Sequence, residues 1–419
     1  MQRLCVIGLG YIGLPTAGTF SNKGINVLGV DVKSAVVDDL KKGVLHIYEP
    51  DLKELVTDSI KKGTLTFSME AAEADVYILA VPTPFKENHK ADLSYVQAAS
   101  EAIAPYLKKN SLVILESTSP VGTTEKIAEW ICTNRPDLYY TDSAGNKSNV
   151  NATNEVYFAH CPERVLPGKI LYEIVHNDRI VGGINTKSAE LAKDVYSVIC
   201  KGEIVLTDSR TAEMSKLTEN SFRDVNIAFA NELSIICDIL KINVWELIKL
   251  ANRHPRVNIL NPGPGVGGHC IAVDPWFIVN SVPEQSKLIR QAREINDFMP
   301  QYVLRKVDAG VKNIDRPVIA ILGLSFKANV DDLRESPALK IAEMLAEKGY
   351  ALFIVEPYID KLPPSLFKDC IALVTLDEAI RNSNIILGLV DHNEFRGLSK
   401  KLIQGKYIID TRGMWKEDK

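Results

Sequence analysis

Arg3-Leu-Cys-Val-Ile-Gly-Leu-Gly-Tyr-Ile-Gly13 is the stretch on which the reading of this chain turns. An apolar run from Leu4 to Ile7 passes directly into glycines at 8, 10 and 13, the spacing of a strand, a tight turn and a helix. Gly8 suits the turn, Gly10 admits a pyrophosphate to the backbone, and Gly13 permits close packing of the helix. Tyr11 and Ile12 belong to the same turn. Phosphates then sit at the helix N-terminus, where N–H groups and the dipole favour anions. Asn26-Val-Leu-Gly-Val-Asp31 reads as the second strand, ending in the acid expected on the adenosine ribose. Asp31 favours NAD over NADP, because a carboxylate repels a 2′-phosphate, although Lys33 lies close by.

Outward from this motif, apolar runs at 76–81, 111–116, 157–160 and 179–182 alternate with helical patterns, a βαβ series on a parallel sheet. Residues 141–153, rich in Ser, Asn and Gly, read as a surface excursion. From 211 to about 238 apolar positions recur at helical spacing without Pro or Gly, which predicts a long helix. A second strand-rich section starts near Pro317, with strands at 318–322, 352–355, 385–390 and 407–410 and a helix near 338–348. The fold class is therefore α/β: two Rossmann-like parallel-sheet domains joined by a long central helix. The expected boundaries are 1–208 for an NAD-binding domain, 209–310 for a helical dimerisation domain, and 311–419 for a second Rossmann-like domain. No short-period repeat is present, and the similarity between the two ends is one of architecture.

Bulk properties narrow the class without selecting it. The 419 residues are too many for one ordinary core. A hydrophobic content of 46% and a charged content of 24% are those of a soluble globular protein. A net charge of −4 with no long basic run gives no reason to expect a nucleic-acid or membrane partner. The seven cysteines are scattered without CxxC spacing, which reads as reduced thiols rather than disulfides or a metal site. The expectation is a cytoplasmic protein without a signal peptide.

Three further segments carry chemistry. Gly263-Pro-Gly-Val-Gly-Gly-His-Cys-Ile-Ala-Val-Asp-Pro275 sets glycines before Cys270 and a carboxylate, Asp274, four residues after it. A thiol beside such a loop can act on a group held by backbone amides, and with a redox cofactor this suggests carbonyl-level oxidation through a thioester. On Glu213-Met-Ser-Lys-Leu-Thr-Glu-Asn220, Lys216 and Asn220 share one helix face, with Arg223 extending it. An ammonium and an amide aimed at one point make an oxyanion site. The alternative is a solvated surface face, but Met214, Leu217, Phe222 and Val225 suggest a helix wrapped by protein. Thr83, Thr118 and Thr124 follow strands, where ligands of open parallel sheets lie. They read as hydroxyl donors to cofactor or substrate, or as caps and turn residues.

These segments together resemble the nucleotide-sugar 6-dehydrogenases, the family that includes UDP-glucose and GDP-mannose dehydrogenases. The likeness runs from the Gly8 motif through Glu116-Ser-Thr118, Cys161-Pro-Glu-Arg164, Lys216 and Asn220, Gly267-Gly-His-Cys270, and Phe326-Lys327. It is reinforced by Val81-Pro-Thr-Pro-Phe-Lys86, Asn252-Arg-His-Pro-Arg-Val-Asn258 and Asp331-Asp-Leu-Arg-Glu-Ser-Pro337. The resemblance implies oxidation of a C6 alcohol to a carboxylate with two NAD+ per turnover and no metal. The implied substrate is UDP-N-acetyl-D-mannosamine, oxidised to the mannosaminuronate as a surface-polysaccharide precursor; UDP-N-acetylglucosamine is the alternative, or a two-electron oxidation.

In that scheme Cys270 forms a thiohemiacetal and then a thioester, and Lys216 and Asn220 steady the oxyanion. Glu163 serves as base for the hydrolytic water, Thr118 positions it, and Asp274 tunes Lys216 or the water, or caps the turn before Pro275. Arg164, Val165, Arg223, His254, Arg256 and Gly267 are implied on sugar and diphosphate, with Arg256 acting in its own or a neighbouring subunit's site. Phe326 and Lys327 are implied on the UDP-sugar and Arg334 on the cofactor pyrophosphate. A 2-hydroxyacid type of dehydrogenase needs neither Cys270 nor a second nucleotide domain, and a sensor would be expected to lose Lys216 or Cys270. A homodimer through the central helix is expected, since an apolar helix between two domains lacks cover within one chain.

Overall fold

β1 (Arg3–Ile7) is apolar on both faces because both faces are covered, as expected for a central parallel strand. Leu4 and Val6 enter one buried cluster and Cys5 and Ile7 the other, so alternate side chains feed the two sides of the sheet. The computed structural model describes residues 3–86, 89–166, 168–268 and 270–415; His269, within the glycine string before Cys270, lies outside the described residues. The chain divides into two compact units, Met1–Glu219 and Asn220–Lys419, with the boundary inside the long helix Ser209–Leu240.

The first unit is built on an eight-stranded sheet in the order β10-β9-β8-β5-β4-β1-β2-β3. The remaining strands are β2 (Asn26–Val30), β3 (Leu65–Ser68), β4 (Val76–Leu79), β5 (Leu112–Leu115), β8 (Tyr157–His160), β9 (Arg179–Gly183) and β10 (Ile204–Asp208). A small pair, β6 (Leu138–Tyr139) and β7 (Asn154–Glu155), brackets the polar excursion. Sequence reasoning misses β3 and β10 and expects a parallel sheet throughout. The β8–β9 pair is antiparallel, with Ala159 opposite Gly183 and His160 opposite Gly182.

The second unit holds a five-stranded parallel sheet in the order β13-β12-β11-β14-β15. These are β11 (Val318–Leu322), β12 (Ala351–Val355), β13 (Ile371–Leu373), β14 (Ile385–Gly388) and β15 (Tyr407–Asp410). Ile319 and Ile321 face one buried cluster, Ala320 and Leu322 the other. Helix Lys287–Val311 carries Pro300 in its interior, a residue that ordinarily breaks a helix. Burial of Met299, Pro300, Val303 and Val307 holds it together.

The helix Ser209–Leu240 is covered by the rest of its own chain over only part of its surface. Ala212, Leu217, Ala228 and Ala230 are buried, but Phe222 is 70% exposed, Phe229 51% and Ile239 74%. The cause lies in the pattern: Phe222, Phe229 and Ile236 recur every seven residues, so they share a face that does not point inward.

Candidate active site

The fingerprint turn is built as its glycines require. Gly8 has φ +92° and donates to Val30 O at 2.8 Å, and a Cβ there would stand 2.5 Å from Ala80 O. A Cβ on Gly13 would fall 1.8 Å from Gly8 O, so the helix Gly13–Asn22 packs on the turn only through glycine. Gly10 faces open space and the helix start has no side-chain cap, which fits the pyrophosphate of a dinucleotide. Tyr11 is exposed and Ile12 half-buried at the mouth of this turn. Asp31 accepts from the Leu9 N–H at 3.0 Å and the Lys33 N–H at 3.0 Å, which fixes the carboxylate at the end of β2.

Two of the three threonines are joined: Thr83 donates to the carbonyl of Thr118 at 2.6 Å, and both are half-buried. Thr124 is buried at the start of helix Thr123–Asn134. Its hydroxyl donates to Glu213 at 2.6 Å and its N–H at 2.8 Å, while Gly122 N–H reaches the other oxygen at 2.5 Å. A carboxylate of the chain itself therefore occupies that helix end.

Glu163 accepts from the Arg164 N–H at 2.8 Å and from the Arg179 guanidinium at 3.1 Å. Arg179 is buried, lies 3.9 Å from Glu116, and stacks over the Tyr196 ring at 4.6 Å. Burial and then the nearby Glu163 raise the Glu116 carboxyl to about 7. Thr16 and Tyr196 donate to it at 3.2 and 3.0 Å. Arg164 pairs with Glu219 at 2.8 Å, and Val165 packs against the core. Lys216 is half-buried on the long helix, one turn from Asn220.

In the second unit Cys270 is exposed, and its carbonyl accepts from the N–H groups of Val273 and Asp274 at 3.1 and 2.9 Å. Asp274 begins helix Asp274–Ser281, is buried, and accepts the side-chain amide of Asn220 at 2.5 Å. The glycine loop before Cys270 lies against Phe326: a Cβ on Gly268 would stand 3.0 Å from its ring, and one on Gly267 3.1 Å from its Cβ. Lys327, Arg223, His254 and Arg256 are exposed, and the fork of Arg334 pairs with Asp332 at 2.8 and 2.6 Å.

Sequence reasoning missed what supports these groups. The Gly263 N–H donates to Asn231 at 2.8 Å, Asn231 donates to Asn296, and Asn296 and Arg293 both donate to the buried Asp224. Arg179 opens a strand that reads as apolar. None of these partners is close in sequence, so no local spacing announces them.

Family models match all three sections of the chain. They are the NAD-binding domain of the UDP-glucose/GDP-mannose dehydrogenase family at residues 2–200, its central domain at 210–298, and its UDP-binding domain at 320–417. The chain belongs to the UDP-glucose/GDP-mannose dehydrogenase family. It is 52% identical over 423 residues to the UDP-N-acetyl-D-mannosamine dehydrogenase of Escherichia coli, covering 99% of each chain. It is also 52% identical over 415 residues to an NDP-N-acetyl-D-galactosaminuronic acid dehydrogenase of Ralstonia nicotianae, covering 99% of this chain and 96% of the relative. Among solved structures, the UDP-D-ManNAc dehydrogenase of Pyrococcus horikoshii superposes with a TM-score of 0.87 at 37% identity, covering 99% and 96%. As a member of this family the protein is an NAD-dependent dehydrogenase of UDP-sugars. No helix among the described residues is long and apolar enough to cross a membrane.

Proposed function

We propose that this dehydrogenase oxidises UDP-N-acetyl-D-mannosamine at C6 to the uronate, a four-electron reaction that supplies a surface-polysaccharide precursor in the cytoplasm. The observation that carries the reading is the Asn220–Asp274 hydrogen bond, which ties an amide donor of the long helix to the turn that begins at Cys270. NAD, when bound, accepts the hydride in each oxidation, so two NAD+ are consumed per sugar. The Cys270 thiolate adds to the C6 aldehyde, forming a C–S bond and an alkoxide that Lys216 and Asn220 stabilise. Oxidation of that thiohemiacetal leaves a thioester. Glu163 takes a proton from a water positioned by Thr118, the water attacks the thioester carbon, and the thiolate of Cys270 departs. Overall one alcohol, two NAD+ and one water give one carboxylate, two NADH and three protons.

The other residues divide by chemistry. The turn at Gly8, Gly10, Tyr11, Ile12 and Gly13, with Asp31, Thr83, Thr124 and Arg334, serves the cofactor. Arg164, Val165, Arg223, His254, Arg256, Gly267, Phe326 and Lys327 serve the sugar and its diphosphate, for which the arginine fork is suited. The domain limits 1–208, 209–310 and 311–419 follow the same division, and the exposed apolar face of the long helix is the surface of a homodimer.

Support for the sugar comes from the Escherichia coli relative, and the Ralstonia relative makes an N-acetylgalactosamine derivative the second reading. Initial rates with UDP-N-acetylmannosamine, UDP-N-acetylglucosamine and UDP-N-acetylgalactosamine decide it. The highest kcat/KM belongs to the manno sugar on this reading; a preference for either of the others rejects it while leaving the chemistry intact.

A further inference from the structure

The second sheet repeats the dinucleotide turn of the first in register and hydrogen bonding. Gly323-Leu-Ser-Phe-Lys-Ala328 follows β11 as Gly8-Leu-Gly-Tyr-Ile-Gly13 follows β1. Gly323 has φ +95° and donates to Val355 O at 2.9 Å, matching Gly8 and Val30. Leu324 donates to Glu356 at 2.7 Å as Leu9 donates to Asp31. Glu356 thus holds the place of the ribose acid, yet it is only 4% exposed.

What covers it is His392, fully buried and four residues past the end of β14, the register position that Thr83 holds after β4. Its Nε2 lies 3.1 and 3.2 Å from the two Glu356 oxygens and 3.3 Å from the Ser325 hydroxyl. Its Nδ1 accepts from the backbone N–H of Asn329 at 2.9 Å. An amide N–H can only donate, so Nδ1 is the bare nitrogen and Nε2 carries the proton that faces Glu356. Ser325 and Asn329 are the two ends of the loop that displays Phe326 and Lys327. The loop is further closed by Ser325 Oγ donating to Lys327 O at 2.8 Å and by Asn329 at φ +62°. The side chain of Asn329 also accepts from the Asn393 N–H at 3.1 Å.

We infer that His392, locked in one tautomer by Glu356, is a positioning residue that holds the Phe326–Lys327 loop in its UDP-binding shape. The acid that a dinucleotide site offers to a ribose is used here inside the fold, so this half takes a mononucleotide diphosphate through the loop instead. The inference rests on the reading of Phe326 and Lys327 as nucleotide contacts, and the experiment separates the two.

Isothermal titration with UDP and, separately, with NAD+ is compared for the wild type, His392→Gln, His392→Asn and Lys327→Ala, well below each unfolding temperature. Gln keeps a donor near the Nε2 position but loses the acceptor for Asn329; Asn keeps that acceptor. The expected result is UDP binding weakened about tenfold in His392→Gln, the loss of roughly one buried hydrogen bond. His392→Asn stays near the wild type, and NAD+ affinity is unchanged in both. Equal losses in the Gln and Asn variants, or a parallel loss of NAD+ binding, mark a general packing role and overturn the inference. If Lys327→Ala weakens UDP but His392→Gln does not, the inference alone falls. If Lys327→Ala binds UDP normally, the loop is not a nucleotide contact and both fall.

Discussion

Asn220 gives its side-chain amide to the buried carboxylate of Asp274 at 2.5 Å, and the Asp274 N–H donates in turn to the carbonyl of Cys270 at 2.9 Å. The proposed oxyanion donor and the proposed nucleophile are therefore linked through one acidic residue. Replacing Asn220 with Ala removes both an oxyanion donor and the hydrogen-bond partner of Asp274. The expected fall in kcat is about 10²–10³-fold, the usual cost of losing one oxyanion donor. Steady-state kinetics beside a melting curve check this: a lowered Tm with kcat retained would make Asn220 structural only.

The Asp224–Arg293 pair is buried and is joined through Asn296 and Asn231 to Gly263, at the head of the loop that leads to Cys270. Burial raises the Asp224 carboxyl to about 6 despite the guanidinium beside it. Arg293→Ala would leave that carboxylate uncompensated, at a cost of about 3–5 kcal/mol. Denaturant unfolding should register the loss, and adding Asp224→Asn should recover part of it. A wild-type midpoint for Arg293→Ala would show that the pair adds nothing to stability.

Glu116 gives a pH signature to the first unit. Its carboxyl stands at about 7 in the fold, raised by burial, against 4.5 ordinarily. A raised acid adds stability that is complete below about 4.5 and is lost as pH rises through about 7. Glu116→Gln removes this dependence. The Tm of the variant relative to wild type is expected to be more favourable at pH 8 than at pH 5, and the opposite trend would reject the assignment.

Phe222, Phe229 and Ile236 form a seven-residue stripe exposed on the long helix. Phe229→Glu should convert a dimer to monomer in multi-angle light scattering, because a charge in an apolar interface has no partner. A wild-type protein that runs as a monomer would remove the need for the interface.

Much of this was legible beforehand for physical reasons. The fingerprint turn, the long helix and the strands at 157–160, 318–322 and 407–410 follow from local periodicity and from glycines that no other residue can replace. The antiparallel β8–β9 pair was not legible, since Arg179–Gly183 reads the same in either direction. Nor were Glu213 at Thr124, Arg179 at Glu163, or His392 at Asn329, which meet across 89, 16 and 63 residues. Sequence patterns report what a residue does for its own helix or strand. The partners that orient the reactive groups come from other elements.

On the proposed mechanism one chain carries out both oxidations through Cys270. NADH counted per UDP-N-acetylmannosamine consumed tests it most directly, with the product analysed for a carboxylate. Two NADH and a uronate are expected for the wild type, and no uronate from Cys270→Ala. One NADH per sugar, or uronate formed without the thiol, would contradict it.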